Sequence, residues 1–460
     1  MQLPNPLKTP SLIQKFLWIT DPIKYMESAS QQYADIFTGK IIGFGDTVVF
    51  VSHPEAIQQL LSNDRKQFSS PGKLNRIMHP ILGKSSITFL ENDSHKRRRQ
   101  LLMPHFHGER MRVCGQTICN ITEKIWSCLP REKTFKAHTL MQDVALQVIL
   151  QVIFGFYEGE RCQKLETLIP LLLQIFESPF TSSFFMLPFL QKDLGDWTPW
   201  GKFLRLRQQV DELIYEEIAE RREQFNPERI DMLSSLMLAK NEKGELLTDE
   251  ELRDELITQI FAGHETTSTM MAWTLYWIHK KPEVHQKILQ ELDTLGGFTD
   301  IMSIVRLPFL TAVCNEAMRI YPVSMFTIPR IVQEPTELLG HKLEPGTVVQ
   351  ALIYLAHQRE ESYPEPKEFK AERFLEHQFS PYEFLPFGGG MRGCIGSAFA
   401  QFEIKLVMAT ILSLYQLALV DSQPEKPRRR GVTIAPGNGV RMVMTGQRRT
   451  QESLVVATVN

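Results

Sequence analysis

The 460-residue chain has few cysteines. There are six, Cys114, Cys119, Cys128, Cys162, Cys314 and Cys394, and no two form a Cys-x-x-Cys pair. That excludes a disulfide framework and a cysteine zinc site, and predicts a reducing compartment, the cytoplasm. The chain also lacks an excess of either charge. Its 51 Lys and Arg against 53 Asp and Glu leave a net charge of −2, so no global field draws it to nucleic acid or to an anionic membrane. The first ten residues, MQLPNPLKTP, hold three prolines and no apolar run, which excludes a signal peptide. Later apolar stretches are broken by polar residues before about 18–20 accumulate, so no transmembrane anchor is expected. Internal repeats, low-complexity segments and long polar linkers are absent too. Length alone would allow two or three domains of about 100–200 residues; the lack of a linker favours a single domain over 1–460.

What is present is apolar material, 43% of the chain, enough for a large core that encloses a bulky ligand. The pattern is mainly α with a minor β subdomain. Residues 41–60 read as a hairpin about a Gly-Asp turn, then a helix. Residues 92–290 are largely helical. Residues 335–356 turn strand-like, punctuated by Gly340 and Pro345-Gly346. A Pro/Gly-rich loop at 381–396 runs into the apolar helix SAFAQFEIKLVMATILSLYQ, and GVTIAPGNGVRMVM reads as strands and turns.

One helix stands out, TDEELRDELITQIFAGHETTSTMMAWTLYWIHKKP. Thr248 and Glu251 form a capping box, acids crowd the first turn, and Lys280, Lys281 and Pro282 suit the far end. At roughly 30 residues it spans about 45 Å, enough to cross a domain. The polar cluster GHETTST in its middle needs partners or water if buried.

The sixth cysteine sits in FGGGMRGCIG, residues 387–396. Glycines let a flat ligand approach the backbone closely. The helix that follows offers unsatisfied N–H groups and a positive dipole end near the sulfur, both of which favour a thiolate. Phe387, Gly390, Arg392, Cys394 and Gly396 fill every fixed position of F-x-x-G-x-R-x-C-x-G. This resembles the haem-ligand signature of the cytochrome P450 family. The resemblance implies the P450 fold, with haem b between the long central helix and the cysteine loop. Cys394 would be the iron ligand, Phe387 would pack on the sulfur side and Arg392 would pair with a propionate.

The resemblance continues in order along the chain. Glu316 and Arg319, in EAMR, match the family's E-x-x-R pair, and Arg373, in AERF, would complete a Glu–Arg–Arg network. At i and i+3 the first two share a helix face; a buried charge pair serves fixing a loop better than adding stability. AGHETT at 262–267 matches the oxygen-activation motif, implying that Ala262, Gly263 and Thr266 face the haem with Glu265 beside them. SHKRRRQLLMPHF resembles the helix carrying two propionate partners, here His95 and Arg99, with Lys96, Arg97 and Arg98 on a solvated basic face. Arg330, in IPRIV, falls where a further propionate partner is expected.

The activity implied is that of a haem-thiolate monooxygenase, which inserts one atom of O2 into a C–H or C=C bond. Thr266 and Glu265 would deliver protons. Residues 395–460 leave no room for a fused reductase, so electrons are expected from a separate ferredoxin or flavodoxin with its NAD(P)H-dependent reductase, steered by Lys96, Arg97 and Arg98. The pocket is expected from residues 68–90, 176–190, the long helix, 323–328 and 433–438. These are largely apolar, suiting a fatty acid, alkane or terpenoid. A monomer is expected. Alternatives on the same fold are a peroxygenase or isomerase, which often lack the acid–threonine pair, and a non-enzymatic haem sensor or electron carrier.

Overall fold

The structure is a computed structural model that describes residues 3–43, 46–63, 66–155, 159–175, 181, 191–241, 244–296, 300–431 and 433–448. Its longest described helix is Asp249–Lys280, 32 residues. Thr248 Oγ1 accepts from Glu251 N while Glu251 Oε2 accepts from Thr248 N, so the capping box is complete. The helix packs most extensively on Ala137–Phe154 and also meets Pro308–Ile320 and Ser397–Leu414. From Leu252 to Ile278 nearly all its residues are buried, except on the stretch from Phe261 to Thr266. That stretch is where polar residues interrupt the apolar sequence, and it faces a cavity.

Two helices depart from the sequence expectation about membrane spans. Ala137–Phe154 and Ser397–Leu414 are each 18 residues long and apolar enough, by length and composition, to cross a membrane. Charged residues do interrupt both, but too sparsely to fail that test. In the fold, 67% and 78% of these residues are buried inside the protein, so the core covers the apolar faces.

The β part lies to one side. Its main sheet orders Ile36–Lys40, Thr47–Val51, Val348–Ala351, Arg330–Val332 and Phe68–Ser69. Thr47–Val51 runs parallel to Val348–Ala351, with Val49 opposite Val349, and the other pairings are antiparallel. The expected hairpin forms, but its first strand ends at Lys40 and the chain turns before Asp46, whose carbonyl accepts from Ile41 N at 3.1 Å. The first strand, Ile36–Lys40, is buried along all but its last residue. A second sheet joins Thr134–Lys136, Arg441–Gln447 and Tyr415–Leu419. The hairpin Pro427–Arg430 and Thr433–Pro436 leans back toward the long helix, where Trp273 Nε1 donates to Ile434 O at 3.1 Å.

Candidate active site

The cysteine loop is shaped by its glycines. Gly388 and Gly390 have φ of 66° and 64°, a region that side chains disfavour. Residues Gly390–Arg392 make one tight turn, which returns Cys394 N to Phe387 O at 3.0 Å. A Cβ at Gly389 would meet Leu61 Cδ1 at 2.8 Å, so the loop seats against helix Pro54–Ser62. The Cys394 thiol faces a cavity. Burial pushes its pKa up, while the Gly396 N–H and the Arg99 guanidinium pull the other way by favouring a thiolate.

Across the cavity stands one face of the long helix: Gln259, Ala262, Gly263, Thr266, Thr267 and Met270, spaced as i, i+3, i+4, i+7, i+8 and i+11. Thr266 Oγ1 donates to Ala262 O at 2.6 Å. Gly263 lines the cavity, yet a Cβ there would meet Ile149 Cδ1 at 2.8 Å. Close crossing of the neighbouring helix therefore demands this glycine. Glu265 lies beside this face and is not part of the lining. It is turned away from the lining, and its Oε2 accepts from Gln142 Nε2 at 2.9 Å. The lining face is centred between the pairs 262/263 and 266/267, and the 100° step back from Thr266 carries residue 265 past its edge. His264, also on the flank, is fully buried and its pKa is pushed down to about 4 by burial.

Along the cavity edge lie His95, Arg99 and Arg392. His95 is buried; Arg99 Nη1 donates to Gly393 O at 2.5 Å. Arg392 holds the facing segment by donating to Ser70 O at 2.8 Å, Ile87 O at 3.2 Å and Leu90 O at 2.6 Å. Lys96 and Arg97 are exposed as expected, but Arg98 is not part of a solvated face. It is buried, with Nη1 on Glu255 Oε2 at 3.0 Å and Nη2 on Glu251 Oε1 at 3.5 Å. Residues 95, 98, 99 and 102 form the inward stripe of helix Asn92–Leu102, and the i+3 step carries Arg98 inside. Arg330 is buried in its strand, donates to Ile328 O at 2.6 Å and is not among the cavity lining. The sheet register turns it toward the 328 carbonyl instead.

Behind the loop, Glu316, Arg319 and Arg373 come together. Arg319 Nε and Nη2 grip the Glu316 carboxylate at 2.6 and 2.9 Å, Arg373 Nε adds a contact at 3.2 Å, and Lys370 N donates at 2.9 Å. A chain of bonds leads from here to the thiol. Arg319 Nη1 donates to His357 O at 2.8 Å. The His357 ring takes Leu385 N on Nε2 at 3.0 Å, so its proton sits on Nδ1 and points to Arg319 O at 3.2 Å. Leu385 is two residues before Phe387, whose carbonyl holds Cys394 N.

The cavity between the helix face and the loop has a volume of ≈ 390 Å³. A cysteine at its floor, a threonine hydroxyl opposite and cationic side chains along one edge meet in a single pocket. The cytochrome P450 family model matches residues 4–441. The chain is a cytochrome P450. Cytochrome P450 135A1 of Mycobacterium tuberculosis is 31% identical over 449 residues, covering 97% of this chain and 96% of that protein. Cytochrome P450 135B1 of the same species is 30% identical, covering 96% and 91%. Among solved structures, cyanobacterial CYP120A1 with bound retinoic acid superposes with a TM-score of 0.83 at 20% identity, covering 97% of this chain and all of that one. The haem domain of cytochrome P450DA gives 0.82 at 21% identity, covering 98% and 99%. As a cytochrome P450, the protein has the P450 fold and is a haem-thiolate monooxygenase.

The residues present fit a haem. Gly396 has φ −87°, which any residue adopts, and a Cβ there would meet no atom within 4 Å. Neither backbone nor packing asks for glycine at that point; a flat group lying against it does. Two residues at the site escaped sequence reasoning. Glu403 lines the cavity, fully buried, and burial drives its carboxyl well above the usual range, keeping it neutral. Its place seven residues after Gly396, on the same helix, was the available signal. His357 left none, because its role depends on a contact between segments far apart in sequence.

Proposed function

We propose that this cytochrome P450 binds haem b through Cys394 and oxidises a hydrophobic small molecule lying between that haem and the long helix. Cys394 would hold the iron, with Phe387, Ala262, Gly263 and Gly396 against the porphyrin faces and His95, Arg99 and Arg392 toward its propionates. The bound cofactor supplies activated oxygen to a substrate C–H or C=C bond. The chain's own residues do the rest. Apolar side chains such as Ile87, Val323 and Ile328 exclude water around the substrate. Thr266 holds a hydroxyl at the cavity, and Glu265 resupplies its proton through water, because that carboxylate is turned toward Gln142. Glu316, Arg319 and Arg373 fix the loop through His357.

The observation that carries this reading is the placement of Cys394 and Thr266 on opposite walls of one cavity. Electrons arrive from a separate ferredoxin or flavodoxin and its NAD(P)H-dependent reductase, and the exposed Lys96 and Arg97 attract the acidic carrier. The chain acts as one domain in a reducing compartment; all six cysteines are free. The test is turnover of a lipid and terpenoid panel under ¹⁸O₂ with a surrogate ferredoxin and reductase. One labelled oxygen per product is expected. Product that draws its oxygen from water, or turnover without added electrons, refutes it.

A further inference from the structure

A second cavity of ≈ 340 Å³ opens off the first, sharing Thr88, Ala262, Thr266 and Phe326 with it. Its other described lining is apolar or uncharged, with one exception, Arg429. Residues 433–438, expected in the pocket, are not among its lining; strand Thr433–Pro436 is buried in the hairpin, and Arg429 and Gly431 on its partner side line the space instead.

Arg429 is an unusual cation. Nε donates to Gly431 O at 2.8 Å, and Nη1 donates to Trp18 O at 2.6 Å and Ile19 O at 3.5 Å. Trp18 and Ile19 belong to the last turn of helix Ser11–Thr20, so half of the guanidinium caps a helix C-terminus. The other half is unused: Nη2 makes no hydrogen bond among the described residues. No carboxylate pairs with it and no charged group shifts its pKa, which burial alone lowers to about 10. A half-buried cation without a counter-ion is costly. Helix capping accounts for Nε and Nη1 but leaves Nη2 beside an apolar cavity.

We propose that the substrate is a hydrophobic monocarboxylic acid, anchored by Arg429 at the end remote from Cys394. This rests on the substrate-oxidising reading of the cavity. The carboxylate takes the free edge of the guanidinium as a charge-assisted bond. The apolar body runs past Phe326, itself stacked on Trp18 with ring centroids 5.3 Å apart, toward Thr266. One cation with no second base among the described lining suits a monoanion and disfavours a phosphate dianion. The geometry leaves the acid group in the second cavity and delivers the far carbons past Thr266 toward the oxidising end.

The experiment is equilibrium dialysis on the haem-loaded protein with matched pairs, dodecanoic acid against dodecan-1-ol and abietic acid against its alcohol. In at least one pair the acid should bind about 10- to 100-fold more tightly, the range for a desolvated charge-assisted bond. Arg429→Gln should remove that preference while leaving alcohol affinity within about twofold; Arg429→Lys should keep part of it. Wild type with no acid preference in either pair, because both members bind alike or neither binds, overturns the proposal. So does an Arg429→Gln protein that loses acid and alcohol equally, since Arg429 would then serve only the helix end. The wild-type comparison stands even if a variant fails to fold. Dialysis reads binding without oxygen chemistry, so selective acid binding with no ¹⁸O₂ product would reject the oxidation reading and leave the anchor intact.

Discussion

Glu316→Ala is the sharpest perturbation of the framework behind the loop. Glu316 and Arg319 are fully buried, and the carboxylate receives four donors from Arg319, Arg373 and Lys370. Removing it leaves Arg319 charged in the interior, held only by the carbonyls of His357 and Glu368 and by the ring of Tyr363 at 5.0 Å. Breaking a buried pair in this way costs about 3–5 kcal/mol. Unfolding entropy near 2.1 cal/mol/K per residue gives about 1 kcal/mol/K for a chain of this length, so the melting temperature should fall by about 3–5 °C. The bonds from Arg319 through His357 to Leu385 make a second consequence specific: haem retention should fall further than global stability does. Thermal melts read by circular dichroism, with haem content measured on the same samples, separate the two. A variant that melts within 1 °C of wild type and keeps full haem would refute the reasoning. One that loses stability but no haem would show that the network does not hold the loop.

Thr266→Ala should keep substrate binding and the CO spectrum but divert electrons to hydrogen peroxide, with product formation down by about 10²–10⁴; unchanged product and peroxide per NADPH rejects the proton role. Glu265→Gln, on the helix flank beside the lining, should cost less than Thr266→Ala, and an equal or larger loss would show that the acid reaches the cavity directly. Stability should fall with acid. His357 and His138 are held down to about 3 and His264, His279 and His105 to about 4, mainly by burial. Their depressed values mean stability fully present above about 6.5 and lost as pH falls from there toward 3. Glu403 opposes this slope, since its raised carboxyl is most favourable to folding at low pH. A melting temperature that does not drop between pH 7.5 and 5 contradicts the neutral, buried histidines.

Sequence carried the elements whose signals are local. The capping box at Thr248, the glycine loop around Cys394 and the Glu316–Arg319 spacing all rest on neighbours within a few residues. Side-chain facing was legible only where the helix phase was applied at each position. The phase that puts Thr266 in the cavity puts Glu265 on the flank, and the phase that turns His95 inward carries Arg98 with it. The strand that buries Arg330 pairs with the distant Phe68–Ser69 as well as with Val348–Ala351, a contact that no local pattern reveals. Residues 176–190, expected in the pocket for their phenylalanines, lie outside the described residues apart from Thr181. Length and composition alone let Ala137–Phe154 and Ser397–Leu414 pass for spans; the fold shows that they spend their apolar faces on the core.

The most direct test of the whole account is the absorption spectrum of the reduced, CO-bound protein, recorded for wild type and for Cys394→His. With Cys394 as the thiolate ligand, wild type should absorb near 450 nm, as the family's thiolate-ligated CO complexes do. Cys394→His, if it retains haem, should lose that band and all monooxygenase turnover. A wild type without the band, or a Cys394→His protein that keeps it, contradicts the assignment on which every other role here depends.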